Sequence, residues 1–165
     1  MKKTCILVLS TLVALASSSL PAKAQFGFGQ PANERQVQAT LPQSRAALWR
    51  TLMTTRIAEN ANTGMFSAGH TPAVRALANT SMTITGFMLP LDTDTRSRHF
   101  LLSRMTPVCF FHPPGAPNEV IEVYANTPIA ITDKLITVTG RFTLISDPEK
   151  GLFFRLSNAQ AVILR

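Results

Sequence analysis

Residues 136–144, "ITVTGRFTL", alternate apolar and polar side chains along their whole length. One face of this stretch collects the apolar residues Ile136, Val138, Phe142 and Leu144. A period of two is typical of a half-buried β-strand. Gly140 lies at the centre, and a glycine inside such a strand often marks a bulge or a sharp bend. The stretch therefore predicts a bent strand with one buried face.

Four other segments have the same period: residues 82–88 ("MTITGFM"), 99–103 ("HFLLS"), 120–124 ("VIEVY") and 152–157 ("LFFRLS"). Five strands with one apolar face each, two of them with internal glycines, can cover that face by curling into a barrel. We predict a mainly β fold, a small five-stranded OB-like barrel. A curled, open antiparallel sheet is the alternative.

One helix is expected ahead of the strands. In residues 41–60, apolar residues recur at spacings of three and four, and Trp49 is the largest of them. This period is typical of an amphipathic helix, so we predict one helix over 41–60, packed outside the barrel with Trp49 as its anchor. Further on, Thr71 followed by Pro72 suits a helix N-cap and first turn, which predicts a short helical turn there.

The first residues resemble an export signal rather than part of the fold. Residues 1–24 begin with two lysines, continue with an apolar run and end in "PAKA", which suits cleavage after Ala24. No later segment offers the roughly 18 apolar residues that a membrane helix needs. We therefore predict a soluble periplasmic protein with no membrane span in its mature form. Residues 25–40 are predicted to be a flexible lead-in, and 41–165 a single OB-like domain.

The charges argue against a nucleic-acid partner. Three of the 16 lysines and arginines belong to the predicted signal peptide, which leaves 13 basic against nine acidic residues. The basic residues are scattered singly, whereas nucleic-acid-binding surfaces cluster them. We expect no nucleic-acid partner.

Several landmarks, taken in order, resemble one protein family. They are "LWRTL", "LANTSMTITGFMLPLD", "HFLLS", "CFFHPPGAPNEVIEVY", "ITVTGRF" and "FRLSNAQAV". Together they resemble the small exported bacterial proteins called domain of unknown function 3299, over about residues 49–162. The resemblance implies an OB-like domain of unestablished activity. It also implies an accessory role in metal handling, since relatives are encoded beside transport components linked to metal supply.

The sharpest parts of the resemblance are "GFMLPL" and the loop that contains Cys109, with its prolines and Asn118. The family pattern often has a histidine two residues after the cysteine. This chain has Phe111 there, and His112 follows one residue later. The resemblance therefore extends to Cys109 and the prolines, and His112 is judged by its own chemistry.

Cys109 is the one cysteine left after the predicted signal peptide, so it cannot form an internal disulfide. In an oxidising compartment it should be buried, bound to a metal or bonded to another molecule. Thiolate and imidazole are ligands that zinc and copper favour. We therefore predict a zinc or copper site at Cys109 and His112, with His99 as third ligand. The loop residues around it form a candidate binding loop: Phe110, Phe111, Pro113, Pro114, Pro117 and Asn118.

Competing interpretations remain open at this level. Cys109 could be a small buried residue beside two phenylalanines, and the outward residues Phe87, Tyr124 and Phe153 could form a binding face. No complete catalytic signature is present, so we expect no enzyme. The predicted function is a non-enzymatic periplasmic accessory protein that binds a metal ion. The alternative is an interaction module that docks on an envelope or transporter protein without metal.

Overall fold

The computed structural model describes residues 31–109 and 111–164. The predicted signal peptide, the first six residues of the predicted lead-in, and Phe110 lie outside the described residues. The helices are α1 Ala32–Thr40, α2 Ala47–Leu52 and α3 Pro72–Arg75, with a 3-10 turn at Pro117–Glu119. The strands are β1 Arg56–Glu59, β2 Phe66–Gly69, β3 Ser81–Pro90, β4 Arg96–Ser103, β5 Val120–Ala130, β6 Ile136–Asp147 and β7 Leu152–Ile163.

The five long strands close into one barrel in the order β3-β4-β5-β7-β6, with β6 pairing back onto β3. β5 and β7 are parallel, and the other four neighbouring pairs are antiparallel. When the five barrel strands are numbered by their order in the chain, their order around the barrel is 1-2-3-5-4, as in an OB-type barrel. The predicted five-stranded OB-like barrel is confirmed, and the open antiparallel sheet is excluded.

The inward faces of the barrel strands form the core, as the alternating pattern predicts. Its fully buried members include Phe100, Leu102, Ile121, Val138, Phe142 and Leu156. The pairing of β6 with β7 shifts register between Thr139 and Arg141, which confirms the predicted irregularity at Gly140. A Cβ atom on Gly140 would lie 2.9 Å from the carbonyl oxygen of Ser157. Only glycine lets the two strands approach this closely.

The predicted helix over 41–60 is present but is much shorter than predicted. α2 spans only Ala47–Leu52, and β1 at Arg56–Glu59 pairs with β2 instead. A strand partner supplied by the tertiary structure outweighs the weak helical preference of residues 56–59. The predicted anchor is nevertheless correct: Trp49 is buried, and its indole N–H donates to the carbonyl oxygen of Thr85 at 2.8 Å.

The predicted flexible lead-in is also corrected in part, because its residues 32–40 form α1. Tertiary contact stabilises this polar helix: Gln38 is 2% exposed, and its side-chain amide donates to the carbonyl oxygen of Thr106 at 2.9 Å. The predicted turn at Thr71 is confirmed as the N-cap of α3. Within the described residues, no helix is both long and apolar enough to cross a membrane.

Candidate metal centre

The loop between β4 and β5 is closed at its base by one residue pair. The backbone N–H of Arg104 donates to the carbonyl oxygen of Glu119 at 3.0 Å. The guanidinium also binds the Glu119 carboxylate, at 2.7 Å from Nε and 2.6 Å from Nη2. Both guanidinium nitrogens contact Oε1, and hydrogen bonds between charged groups of this kind are short and strong. The ends of the loop are therefore held together, whatever occurs at its tip.

The prolines and Asn118 attach the loop to the rest of the domain. Pro114 and Pro117 are buried, and the carbonyl oxygen of Pro114 accepts a hydrogen bond from the Ser103 hydroxyl at 3.0 Å. The Asn118 amide donates to the carbonyl oxygens of Met53 and Thr55. These predicted binding-loop residues thus contact the protein's own backbone, and their role in the structure is to position the loop.

Helix α1 lies across the same loop and brings in a carboxylate. Glu34 lies in the first turn of α1, four residues before the buried Gln38, so both side chains are on one face of the helix. The Gln38 contact with Thr106 fixes this face against the loop. The Thr106 hydroxyl in turn donates to the carbonyl oxygen of Pro42 at 2.6 Å, just beyond the helix.

Three potential metal ligands meet where α1 crosses the loop: Glu34, Cys109 and His112. One ligand atom from each lies within 4.8 Å of the others. His112 Nδ1 is 3.0 Å from Oε2 of Glu34 and 3.1 Å from Oε1. Cys109 is half-buried, and its sulfur accepts the backbone N–H of Phe111 at 3.4 Å. We call this group the Glu34 site.

The spacing of the Glu34 site is close to that of a tetrahedral zinc complex. Zinc bonds to nitrogen, oxygen and sulfur place neighbouring ligand atoms about 3.3 to 3.6 Å apart. His112 and Glu34 are already near this separation. The Cys109 sulfur lies within 4.8 Å of both of these ligand atoms.

The predicted pair of Cys109 and His112 is therefore brought together, whereas His99 lies elsewhere. His99 Nε2 is 2.9 Å from Oε1 of Glu122, and it is not part of the Glu34 site. The interpretation of Cys109 as a buried core residue is wrong, because Cys109 is half-buried and the neighbouring Phe111 is 90% exposed. Phe110, the other predicted neighbour, lies outside the described residues.

Sequence reasoning missed Glu34. It is 78 residues from His112, and nothing in the spacing of two such distant residues indicates contact. A weak local signal was present, since a proline followed by an acidic residue suits the first turn of a helix. That signal could have located α1, but it could not have shown which surface α1 covers.

His99 belongs to a second polar group on β4, β5 and β7, which we call the Glu122 cluster. Glu122 is 6% exposed, and Oε1 accepts from the Tyr124 hydroxyl at 3.1 Å as well as contacting His99. Oε2 binds Arg155, at 2.8 Å from Nε and 2.7 Å from Nη2. The His99 and Tyr124 rings stack with centroids 4.3 Å apart. Both carboxylate oxygens are therefore occupied.

Titration of the Glu122 cluster follows from this geometry. Burial by itself would raise the pKa of Glu122, but hydrogen bonds from His99, Arg155 and Tyr124, with the charge of Arg155, outweigh it and lower that pKa. Burial and the neighbouring Glu122 charge raise the pKa of Tyr124. The cluster is thus a carboxylate kept ionised by its own neighbours.

The remaining histidine, His70, and most of the predicted aromatic face contact other parts of the protein. His70 Nδ1 is 3.3 Å from the Thr55 hydroxyl, and the ring packs on Phe154. Burial, followed by the Arg75 charge, lowers the pKa of His70. Phe87 and Phe153 are buried, at 5% and 2% exposure, so of the predicted outward aromatic residues only Tyr124 is exposed.

Comparison with known proteins gives a family and one solved structure. A family model described as "Protein of unknown function (DUF3299)" matches residues 20–150. The chain is also similar to a DUF3299 family protein from Pseudomonas aeruginosa PAO1, with a crystal structure at 2.45 Å resolution. The two are 19% identical over 60% of this chain and 68% of the other, with a TM-score of 0.48. No curated protein matches the chain.

Proposed function

The chain belongs to the DUF3299 family, and from that premise we propose that it is a non-enzymatic periplasmic accessory protein that binds zinc at the Glu34 site. The observation that carries this proposal is the meeting of a thiol, an imidazole and a carboxylate from two distant parts of the chain. α1 is hydrogen-bonded to the β4–β5 loop through Gln38, and the loop is hydrogen-bonded to the end of β4 through Ser103. The fold therefore brings Glu34 to Cys109 and His112, which are already neighbours in one loop.

The carboxylate decides between the two predicted metals. Thiolate and imidazole suit both zinc and cuprous ions, whereas a carboxylate oxygen is a harder ligand that copper(I) avoids and zinc accepts. A zinc ion would also be neutralised, since ionised Cys109 and Glu34 supply two negative charges while His112 binds as the neutral ring. Zinc is therefore the ion that best fits this set of ligands.

Metal binding would also explain how a single half-buried cysteine avoids oxidation in an exported protein. A free thiol is open to oxidation, and oxidation increases with thiolate character and exposure. A sulfur bound to zinc is deprotonated but shielded by the metal. Coordination would thus protect Cys109 where burial does so only in part.

The proposal is tested by zinc titration calorimetry on the reduced protein, purified without a His tag. We expect one zinc per chain for the unaltered protein, and a loss of affinity of about 100-fold or more for Cys109→Ser and His112→Gln. Glu34→Gln should weaken binding by about 10- to 100-fold, whether the carboxylate touches the ion or orients His112. His70→Gln is the matched control, and its affinity should be unchanged.

The proposal fails if the unaltered protein takes up no stoichiometric zinc, or if Cys109→Ser binds as tightly as the unaltered protein. Proton release gives a second measurement on the same samples. Binding displaces the thiol proton, so the apparent affinity should fall as the pH is lowered.

A second candidate is the metal-free interaction module, and the exposed Phe111 favours it. A phenylalanine that is 90% exposed at the tip of a fixed loop is a suitable contact for an envelope or transporter protein. A photo-crosslinking residue at position 111, compared with one at the half-exposed Leu91, tests this idea in cells. An adduct formed specifically at position 111, and equally in Cys109→Ser, would favour docking without metal.

A further inference from the structure

The Glu34 site has fewer ligands than a structural zinc site. Structural zinc is almost always held by four protein ligands, whereas sites that exchange or activate a ligand use three. Within the described residues, the ligand group contains Glu34, Cys109 and His112 and no fourth histidine, cysteine or acidic residue. The rest of the chain adds little, because residues 1–30, 110 and 165 contain no histidine or acidic residue, and one cysteine, Cys5, in the predicted signal peptide.

Other donors in the described part of the chain are engaged in contacts of their own. Glu119, at the base of the same loop, binds the Arg104 guanidinium and accepts the backbone N–H of Ala116 at 3.0 Å. His99 is bonded to Glu122 in the barrel wall. Moving either side chain toward the ion would break charge-assisted hydrogen bonds, which are about twice as strong as neutral ones.

The three ligands are also accessible from outside. The side chains of His112 and Glu34 are 35% and 22% exposed, and Cys109 is half-buried. The 90% exposed Phe111 lies between Cys109 and His112 in the sequence and gives an apolar surface beside them. A molecule approaching the loop tip can therefore reach the ion.

From these observations we infer that zinc at the Glu34 site keeps one coordination position for a donor from outside the chain, a soft nitrogen or sulfur group such as an imidazole or a thiolate. The inference builds on the proposed zinc function and specifies how the ion is exchanged. The incoming group forms its bond to zinc before a bond to the chain breaks, so the ion is never stripped of its ligands. No electron changes hands, and only ligand bonds are made and broken.

The first experiment uses cobalt(II) in place of zinc, because its absorption bands report the number and type of ligands. The cobalt-loaded protein should show a thiolate-to-cobalt charge-transfer band that is absent in Cys109→Ser. We then expect added imidazole to shift the visible ligand-field bands in a saturable way, at constant cobalt content and with the thiolate band retained. This result would show that the external donor adds to the site and does not displace Cys109.

Two other outcomes overturn the inference and are distinguishable. A cobalt complex that retains the thiolate band but does not respond to imidazole means that the site is closed, for instance by a bidentate Glu34. The proposed zinc function then survives. A protein that shows no thiolate band with cobalt and takes up no zinc removes both the proposed function and the inference.

Exchange kinetics provide an independent test on the zinc protein itself. Zinc transfer to the chelator 4-(2-pyridylazo)resorcinol is followed by stopped-flow absorbance. An open position predicts a rate that rises in proportion to chelator concentration, whereas a closed site releases zinc at a rate independent of it. His70→Gln is the matched control, because His70 lies outside the Glu34 site, and its transfer rate should equal that of the unaltered protein.

Discussion

Two histidine–carboxylate pairs in this protein have nearly the same contact distance and different surroundings. His99 lies 2.9 Å from Glu122, and His112 lies 3.0 Å from Glu34. The first pair is on the barrel wall, where the Arg155 guanidinium and the Tyr124 hydroxyl also bind the carboxylate. The number and charge of the other partners therefore distinguish the two pairs.

In the Glu122 cluster, a permanent positive charge balances a buried negative one. Both oxygens of Glu122 are occupied, and the residue is 6% exposed. At the Glu34 site, the carboxylate and the nearby Cys109 thiol face one imidazole. A balanced, fully hydrogen-bonded carboxylate stabilises the fold, whereas a half-exposed group of a carboxylate, a thiol and an imidazole could hold a metal ion.

The largest expected effect is on stability, and it separates the two carboxylates. Glu122→Ala should lower the free energy of unfolding by about 3 kcal/mol, because the His99, Tyr124 and Arg155 hydrogen bonds to this buried carboxylate are lost together. Glu34→Ala should lower it by less than about 1 kcal/mol, as for other half-exposed ion pairs. Urea unfolding of the metal-free proteins measures both values. Equal losses would show that the two pairs have the same structural role.

When zinc is bound, substitution of His112 should reduce stability more than substitution of His99. With free zinc at about 100 times its dissociation constant, the unaltered protein should gain about 2.7 kcal/mol of stability. His99→Gln should retain this gain, since His99 lies outside the Glu34 site, and His112→Gln should lose most of it. Thermal unfolding with and without zinc provides the comparison. A zinc gain that depends on His99 would contradict the assignment of the site.

Lowering the pH should reduce the contribution of Glu122 to the stability of the fold. The pKa of Glu122 is below its ordinary value of 4.5, so the folded state binds this proton less readily than the unfolded state. The stabilisation is complete above pH 4.5 and is lost as the pH falls through the lower, folded-state pKa. The stability difference between the unaltered protein and Glu122→Gln should therefore shrink below pH 4.5. A difference that stays constant down to pH 3 would show that Glu122 does not titrate in this way.

The smallest expected effect is at the loop tip. Phe111 is 90% exposed, so Phe111→Ser should change the free energy of unfolding by less than about 0.5 kcal/mol. Its zinc affinity should also remain unchanged. Urea unfolding and calorimetry of this variant measure both. A clear loss of stability would show that Phe111 packs against the protein and is not a free surface.

Much of the fold was predictable because strand alternation is a local property. The inward residues of β6 were identified from their period alone, and so was the irregularity at Gly140. The helix predicted over residues 41–60 was too long, since a helical period fits the whole range, but Arg56–Glu59 instead pairs with Phe66–Gly69. Hydrogen bonding to a partner strand is a tertiary contribution that a single segment does not contain.

Two of the three residues of the Glu34 site were predictable for the same reason. Cys109 and His112 are three residues apart in a loop made rigid by prolines, so their proximity follows from the local sequence. Glu34 could not be predicted, because it contacts His112 across 78 residues. His99 was an incorrect third ligand, since its chemistry suits a metal but its strand places it beside Glu122.

By itself, the sequence determined the five alternating strands, the anchoring Trp49 and the pairing of a thiol with an imidazole in one loop, because each depends on neighbouring residues. Only the tertiary structure decided which carboxylate joins the thiol and which histidine is already engaged. Both outcomes depend on how α1 and β5 approach distant segments. Buried, hydrogen-bonded Gln38 holds α1 in place, and buried, hydrogen-bonded Glu122 does the same for β5. Burial and long-range hydrogen bonding are properties of the whole fold.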